Sequence, residues 1–316
     1  TGSQNGFVGI PMTLLSLRPS HQAAVIEVGI DEPGTMTGHM DTVSADIAVL
    51  TAIGPEHLEK LVDVATVARE EAAALEWIAA HRGTAVVRLD DEWIAPLAKK
   101  LNGAKVITCG MNVDADCSGK FENDTLTVDF SGKAEKFPIP LPGEHNASNL
   151  LVAISVAHAL GLTADEIRKG LMTFETAKGR TEIKKLAKGA TFICDYYNAN
   201  PSSMVAALRL LNEEGLKGSG KKIACLGDML ELGPNEEKFH LNLQPLIERL
   251  GVSVLLLYGP RMRWLYDEME DSKVKTYHFE THAELGKFLL EQLNAEDVVL
   301  IKGSRGMKME EILKSL

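Results

Sequence analysis

No apolar run in this sequence approaches the roughly 18 to 20 residues that span a bilayer, and no charged-then-apolar leader opens it. A cytoplasmic chain without membrane insertion is therefore expected. Positive charge is in deficit as well: 33 Lys and Arg stand against 44 Asp and Glu, a formal net charge of -11. A sequence-independent nucleic-acid binder needs a basic face to replace counterions on phosphates, so no nucleic-acid partner is expected, although a local basic pocket stays open. Cysteine is scarce, four residues with no C-x-x-C pair, which argues against a zinc ribbon or a disulfide framework. Three of Cys109, Cys117, Cys194 and Cys225 sit in or beside apolar runs, the setting of buried free thiols. Neither a repeat of solenoid period nor a low-complexity tract is present.

What is there is apolar material, 45% of 316 residues, enough for two globular domains. In the first half, AAVIEVG (23–29), IAVLTAIG (47–54), TAVVRLD (84–90) and KVITCG (105–110) read as strands buried on both faces, with a helix over 63–80. From 120 to 142 polar and apolar residues alternate between Asn-Asp and Ser-Gly turns, which predicts a β-hairpin region; helices follow near 146–160 and 163–174. Beyond Gly179 the rhythm restarts. TFICDYY, KKIACLGD, VSVLLLYG, KVKTYHF and DVVLIKG read as five strands, with helices over 202–213, 236–250, 261–270, 282–293 and 307–315. The expected fold class is α/β, a parallel-sheet domain with a β-hairpin region over 1–178 and a doubly wound sheet domain over 179–316.

Open α/β sheets bind ligands at the carboxyl ends of their strands, so the residues that close each strand carry most weight. In the first domain these are Glu27, then Glu56, His57 and Glu59 of TAIGPEHLEK. Glutamate and histidine at neighbouring strand ends suit magnesium or manganese through oxygen and imidazole, while a strand-terminal glutamate also serves as a solvated or helix-capping group. In the second domain Asp195, Asn198 and Asn200 close TFICDYYNANPSSM, and Pro201 then starts a helix for which Asn200 is a candidate cap. Asp228 closes KKIACLGD. The last strand ends in KGSRG, with Lys302, Ser304 and Arg305, a basic glycine-rich turn that suits an anion but lacks the spacing of a Walker A loop.

Eight segments, VGIPMTLL, VIEVG, IGPEHLE, GEHNASN, KGRTE, DYYNANPSSMVAAL, CLGDMLELG and LIKGSRGMKMEEI, stand in the order and spacing found in Mur ligases. Over 1–316 the chain resembles that family, and most of all its members that join D-alanyl-D-alanine to a UDP-N-acetylmuramoyl-tripeptide in peptidoglycan synthesis. The resemblance implies a central mononucleotide-binding domain followed by a Rossmann-like C-terminal domain, with ATP and magnesium as cofactors. The tripeptide nucleotide and D-alanyl-D-alanine are the implied partners, and a monomer is expected. It further implies that Glu27 and His57 hold magnesium ions, that Asn146 and Asn149 lie against adenine, and that Arg180 and Asp195 contact phosphates and ribose. Asn198, Asn200, Lys302, Ser304 and Arg305 would face the incoming dipeptide.

Two departures from the family pattern stand out. Ahead of the segment matching TGSQNGFVGIP, in which Gly2, Asn5 and Gly9 keep family places, family members carry a uridine-nucleotide domain and a phosphate loop that this sequence does not contain. A ligase inactive as this chain is therefore expected; a non-catalytic binding or regulatory descendant, a split enzyme and another amide ligase of the family are the alternatives. Second, VAREE places Glu71 where the family has a commonly carbamylated lysine that helps hold the second magnesium. Glutamate restores the charge with a shorter side chain, so Glu71 is a candidate ligand; otherwise it is an exposed helix residue in a shifted register.

Overall fold

The computed structural model describes residues 4–316, and its contacts divide the chain into two compact units. The first takes in the chain up to Pro140 together with Asn146–Thr173; the second is Leu141–His145 with Phe174–Leu316. Gly2, matched above to the family pattern, lies outside the described residues.

The first unit is built on a six-stranded sheet whose spatial order follows the chain: β1 (Ile47–Val49), β2 (Thr84–Arg88), β3 (Lys105–Met111), β4 (Cys117–Glu122), β5 (Thr125–Phe130) and β6 (Ala134–Pro138). β1 to β4 are parallel, and β4, β5 and β6 form an antiparallel meander, one strand more than a hairpin. Its helices are α1 (Gly9–Leu15), α2 (Thr35–Val43), α3 (Leu58–Leu61), α4 (Val64–Ala80), α5 (Glu144–Ala159) and α6 (Ala164–Met172). α4 starts where Asp63 accepts the Thr66 N–H at 2.7 Å, and it buries Val67, Leu75 and Ile78 completely. Leu151 and Ile154 of α5 pack with Ile107, Leu126, Val128 and Phe137 into one core.

One expected strand is absent. Residues 23–29 form no ladder, and Val25 is 95% exposed. An apolar run favours extended backbone, but a strand also needs a neighbour for its N–H and C=O groups. β1 is three residues long and pairs with β2, and the Gly29 N–H donates to the Asn5 carbonyl instead (2.9 Å). For the same reason the 47–54 run is a strand only to Val49.

The second unit carries six strands rather than five: β7 (Glu182–Lys185), β8 (Thr191–Asp195), β9 (Lys222–Gly227), β10 (Val254–Tyr258), β11 (Lys275–Phe279) and β12 (Val298–Lys302), ordered β11-β10-β9-β12-β8-β7. All neighbours are parallel except β7, an antiparallel edge too charged to be read as a strand from its sequence. Alternate residues supply two cores. Ala224, Leu226, Leu255, Leu257 and Leu300 pack on one side with α7 (Pro201–Gly215), α9 (Gln244–Arg249) and α10 (Met262–Glu268). Ile223, Cys225, Leu256, Val299 and Ile301 pack on the other with α11 (His282–Gln292) and the C-terminal segment. The 236–250 helix is in fact two, α8 (Glu236–Leu241) and α9, with Pro245 in the first turn of the second. The closing 307–315 segment is 3-10 rather than α-helix, broken at Lys308 with φ 48°. All four cysteines are buried and free. Among the described residues no helix is long and apolar enough to cross a membrane.

Leu300→Ala, in the middle of the second unit's sheet, is expected to cost about 2–5 kcal/mol in urea unfolding. Val25→Ala should cost less than about 0.5 kcal/mol. A loss at Val25 as large as that at Leu300 would restore 23–29 as a core strand.

Candidate active site

In the first unit, the exposed Glu27 carboxylate is held through Oε1, which accepts from Asn5 Nδ2 at 3.0 Å. His57 takes a left-handed backbone (φ 51°) at the start of α3, which turns the half-buried IGPEH segment into that helix. Glu71 lies two turns into α4 and is half-buried, not exposed. Burial pushes its carboxyl up to about 7, and the charge of Glu56 adds to the shift. Burial also raises Glu56, against the opposing influence of His57. The neighbouring Glu70 is committed elsewhere, accepting the Gly34 N–H at 2.6 Å. The result is an uncomfortable pair of carboxyls beside an imidazole. Such a donor set fits a hard divalent cation, because bound positive charge reverses both the desolvation and the like-charge penalties. Among the described residues no three His, Cys, Asp or Glu side chains are already gathered into a ligating group. Asn146 and Asn149 stand on α5 three residues apart, half-buried and exposed respectively.

In the second unit the strand ends converge on Lys302. Register places Lys302 opposite Asp195 on the adjacent parallel strand. Its ammonium, with the side chain only 2% exposed, donates to Asp195 Oδ2 at 2.6 Å and to the Asn198 carbonyl at 3.0 Å. Burial lowers the Lys302 pKa despite the opposing pull of Asp195. The other Asp195 oxygen, Oδ1, accepts the Thr181 N–H at 3.0 Å. Ser304, also buried, donates to the Ala199 carbonyl (3.1 Å) and accepts the Leu230 N–H (2.9 Å). Asn200 caps α7 in a reciprocal box with Ser203, its Oδ1 accepting the Ser203 N–H at 2.8 Å.

Of the residues expected to face a dipeptide, Lys302, Ser304 and Asn200 therefore use their side chains to bind the protein itself. Asn198 and Arg305 are exposed, although Asn198 Oδ1 accepts the Ala199 N–H at 2.9 Å and Arg305 pairs with Glu310 at 2.7 Å. Arg180 is exposed too, its guanidinium 4.1 Å from the Tyr197 ring centroid. Gly179 (φ +73°) makes room for the neighbouring Tyr196 ring, which a Cβ there would meet at 2.5 Å.

Two histidines escaped the sequence reading. His145, inside GEHNASN, is half-buried; burial lowers its pKa, Asp195 raises it and Lys302 lowers it. His240 is fully buried, donating from Nδ1 to the Glu236 carbonyl (2.6 Å) and accepting the Met229 N–H at Nε2 (3.0 Å). It thereby steadies the loop after Asp228, whose own carboxylate accepts the Met262 and Arg261 N–H groups at 2.8 and 3.2 Å. The position of His145 inside a recognised motif was a usable signal. His240 offered none.

Residues 2–157 match the Mur ligase middle domain, and residues 179–305 match the family described as Mur ligase, glutamate ligase domain. The UDP-N-acetylmuramoyl-tripeptide–D-alanyl-D-alanine ligase of Bacillus subtilis (strain 168) is 32% identical, over 100% of this chain and 68% of the relative. Crystal structure I of MurF from Acinetobacter baumannii superposes with a TM-score of 0.86 at 28% identity, covering 100% of this chain and 69% of that one. MurF ligase from Thermotoga maritima in complex with ADP shares the fold, with a TM-score of 0.82 at 22% identity over 98% of this chain and 70% of its own. With two family domains in succession and a relative 32% identical along the whole of this chain, the chain belongs to the Mur ligase family.

Proposed function

We propose that the protein uses ATP to join D-alanyl-D-alanine to the peptide carboxylate of a UDP-N-acetylmuramoyl-tripeptide, a step of peptidoglycan synthesis. The observation that carries this reading is the alignment of the entire chain with a relative of that name at 32% identity. In the reaction a carboxylate oxygen of the tripeptide attacks the γ-phosphorus of ATP and ADP leaves. The dipeptide amine then attacks the acyl carbon of the resulting acyl phosphate, phosphate leaves, and the amine gives up a proton. Both steps concentrate negative charge, so electrostatic stabilisation dominates the catalytic requirement.

Glu27, His57 and Glu71 are the residues proposed to hold magnesium, which when bound screens phosphate charge and orients the reacting oxygens. The raised carboxyl of Glu71, half-buried and facing the charge of Glu56, supports its place in this assignment. Asn146 and Asn149 are assigned to adenine, and Arg180 and Asp195 to phosphates and ribose. Arg180 is suited to phosphate because its guanidinium is exposed yet oriented by Tyr197. For the dipeptide we assign Arg305 and Asn198 to direct contact, with Lys302, Ser304 and Asn200 shaping the backbone that receives it.

In the full-length gene product, Glu27→Ala and His57→Ala are each expected to lower kcat by about 100-fold or more with folding intact; unchanged turnover would refute their metal roles. Arg305→Ala should raise KM for D-alanyl-D-alanine by about tenfold without loss of stability. Lys302→Met should instead lower stability by about 3–5 kcal/mol, because it leaves Asp195 without its buried partner. The reverse pattern would return Lys302 to direct substrate contact.

Glu71 gives a readout without turnover. Its folded pKa lies above the unfolded one, so without metal the native state binds more protons and stability falls as pH rises from about 4.5 through about 7. Between pH 5 and 8 this contributes a loss of about 1–3 kcal/mol that Glu71→Gln should remove. Magnesium at pH 8 should raise the melting temperature of the parent protein more than that of Glu71→Gln, and equal shifts would count against Glu71 as a ligand.

A further inference from the structure

Residues 4–9 fold back onto the segment that carries Glu27. The Asn5 carbonyl accepts the Gly29 N–H at 2.9 Å, and Asn5 Nδ2 donates to Glu27 Oε1 at 3.0 Å, so one residue grips both the backbone and the carboxylate on either side of Val28. Two glycines make room for it. A Cβ on Gly29 would stand 2.6 Å from Asn5 Nδ2, and one on Gly9 would overlap the Gln4 backbone. Gly29 does not have a left-handed φ, so its smallness serves the approach of Asn5 rather than a turn. The segment carrying Glu27 has no strand ladder to stiffen it. Its orientation is set locally.

We propose that Asn5 is a positioning residue for the metal step, fixing the Glu27 rotamer through Oε1 so that Oε2 would be available to a cation, a role that rests on the magnesium assignment of Glu27 above. An exposed glutamate otherwise spreads over several rotamers and loses that freedom when it ligates. A neutral amide suits the task because it donates to a carboxylate without competing for the metal. Aspartate at this position would repel Glu27, and alanine would release it. Outer-shell hydrogen bonds of this kind typically change metal affinity by about 10- to 100-fold.

The test follows ligation by the full-length gene product against free magnesium at saturating ATP, with thermal melting in parallel. Asn5→Ala should raise the magnesium concentration for half-maximal rate by about tenfold, with KM for D-alanyl-D-alanine unchanged. Gly29→Ala, which drives the Asn5 amide from its place, should shift the magnesium midpoint in the same way, and the double variant should be no worse than Gly29→Ala alone. Glu27→Gln is the reference. If it shifts the magnesium midpoint while Asn5→Ala and Gly29→Ala do not, Asn5 does not position Glu27 although the metal assignment survives. If Glu27→Gln leaves the midpoint unchanged, the metal assignment fails and the Asn5 role with it. Loss of rate accompanied by a lower melting temperature and an unchanged magnesium midpoint would make Asn5 purely structural.

Discussion

The carboxyl edge of the second unit's sheet depends on one buried ion pair. Lys302 closes β12 and Asp195 closes β8, and their 2.6 Å contact joins adjacent strand ends in a setting where the lysine side chain is 2% exposed. Removing an ammonium from water is costly, and the attraction between the charges offsets that cost only when geometry and additional hydrogen bonds are good. Here both conditions are met. Lys302 also reaches the Asn198 carbonyl and Asp195 also receives the Thr181 N–H, so the pair ties β8, β12, the turn before β7 and the loop before α7 into one arrangement. Ser304 extends it by joining the Ala199 carbonyl to the Leu230 N–H. The exposed groups left at this edge, Arg180, Asn198 and Arg305, are thereby presented on a rigid base.

The first unit meets a different constraint. Burial raises two of its carboxyls, Glu56 and Glu71, and Glu71 reaches about 7. A fold that sets two carboxyls against each other loses stability near neutral pH unless something positive enters. The second unit pairs its buried lysine internally, whereas Glu71 in the first unit keeps a raised carboxyl.

Much of this was legible in the sequence because buried parallel strands and amphipathic helices leave strong patterns. KKIACLGD, VSVLLLYG and DVVLIKG are strands that alternate residues between two cores, as their continuous apolar character implied. What escaped depends on partners, which periodicity does not report. AVIEV is as apolar as any strand but pairs with none, and the charged EIKK of β7 is a strand only because β8 offers it an edge. Lys302, Ser304 and Asn200 drew notice by their position at strand ends. Their inward direction could not be read, since a polar side chain that binds substrate and one that braces a loop look alike until its neighbours are known. Asn5 had no visible importance beyond a motif match until Gly29 and Glu27 were seen beside it.

The central claim is the chemistry of the acceptor amine. The most direct measurement is phosphate release from ATP by the full-length gene product with UDP-N-acetylmuramoyl-tripeptide, comparing D-alanyl-D-alanine with L-alanine, D-glutamate and a diamino acid as the amine. Release stimulated by the dipeptide alone, with formation of the corresponding pentapeptide, is the predicted result. Stimulation by a single amino acid instead, or none by the dipeptide, would contradict it.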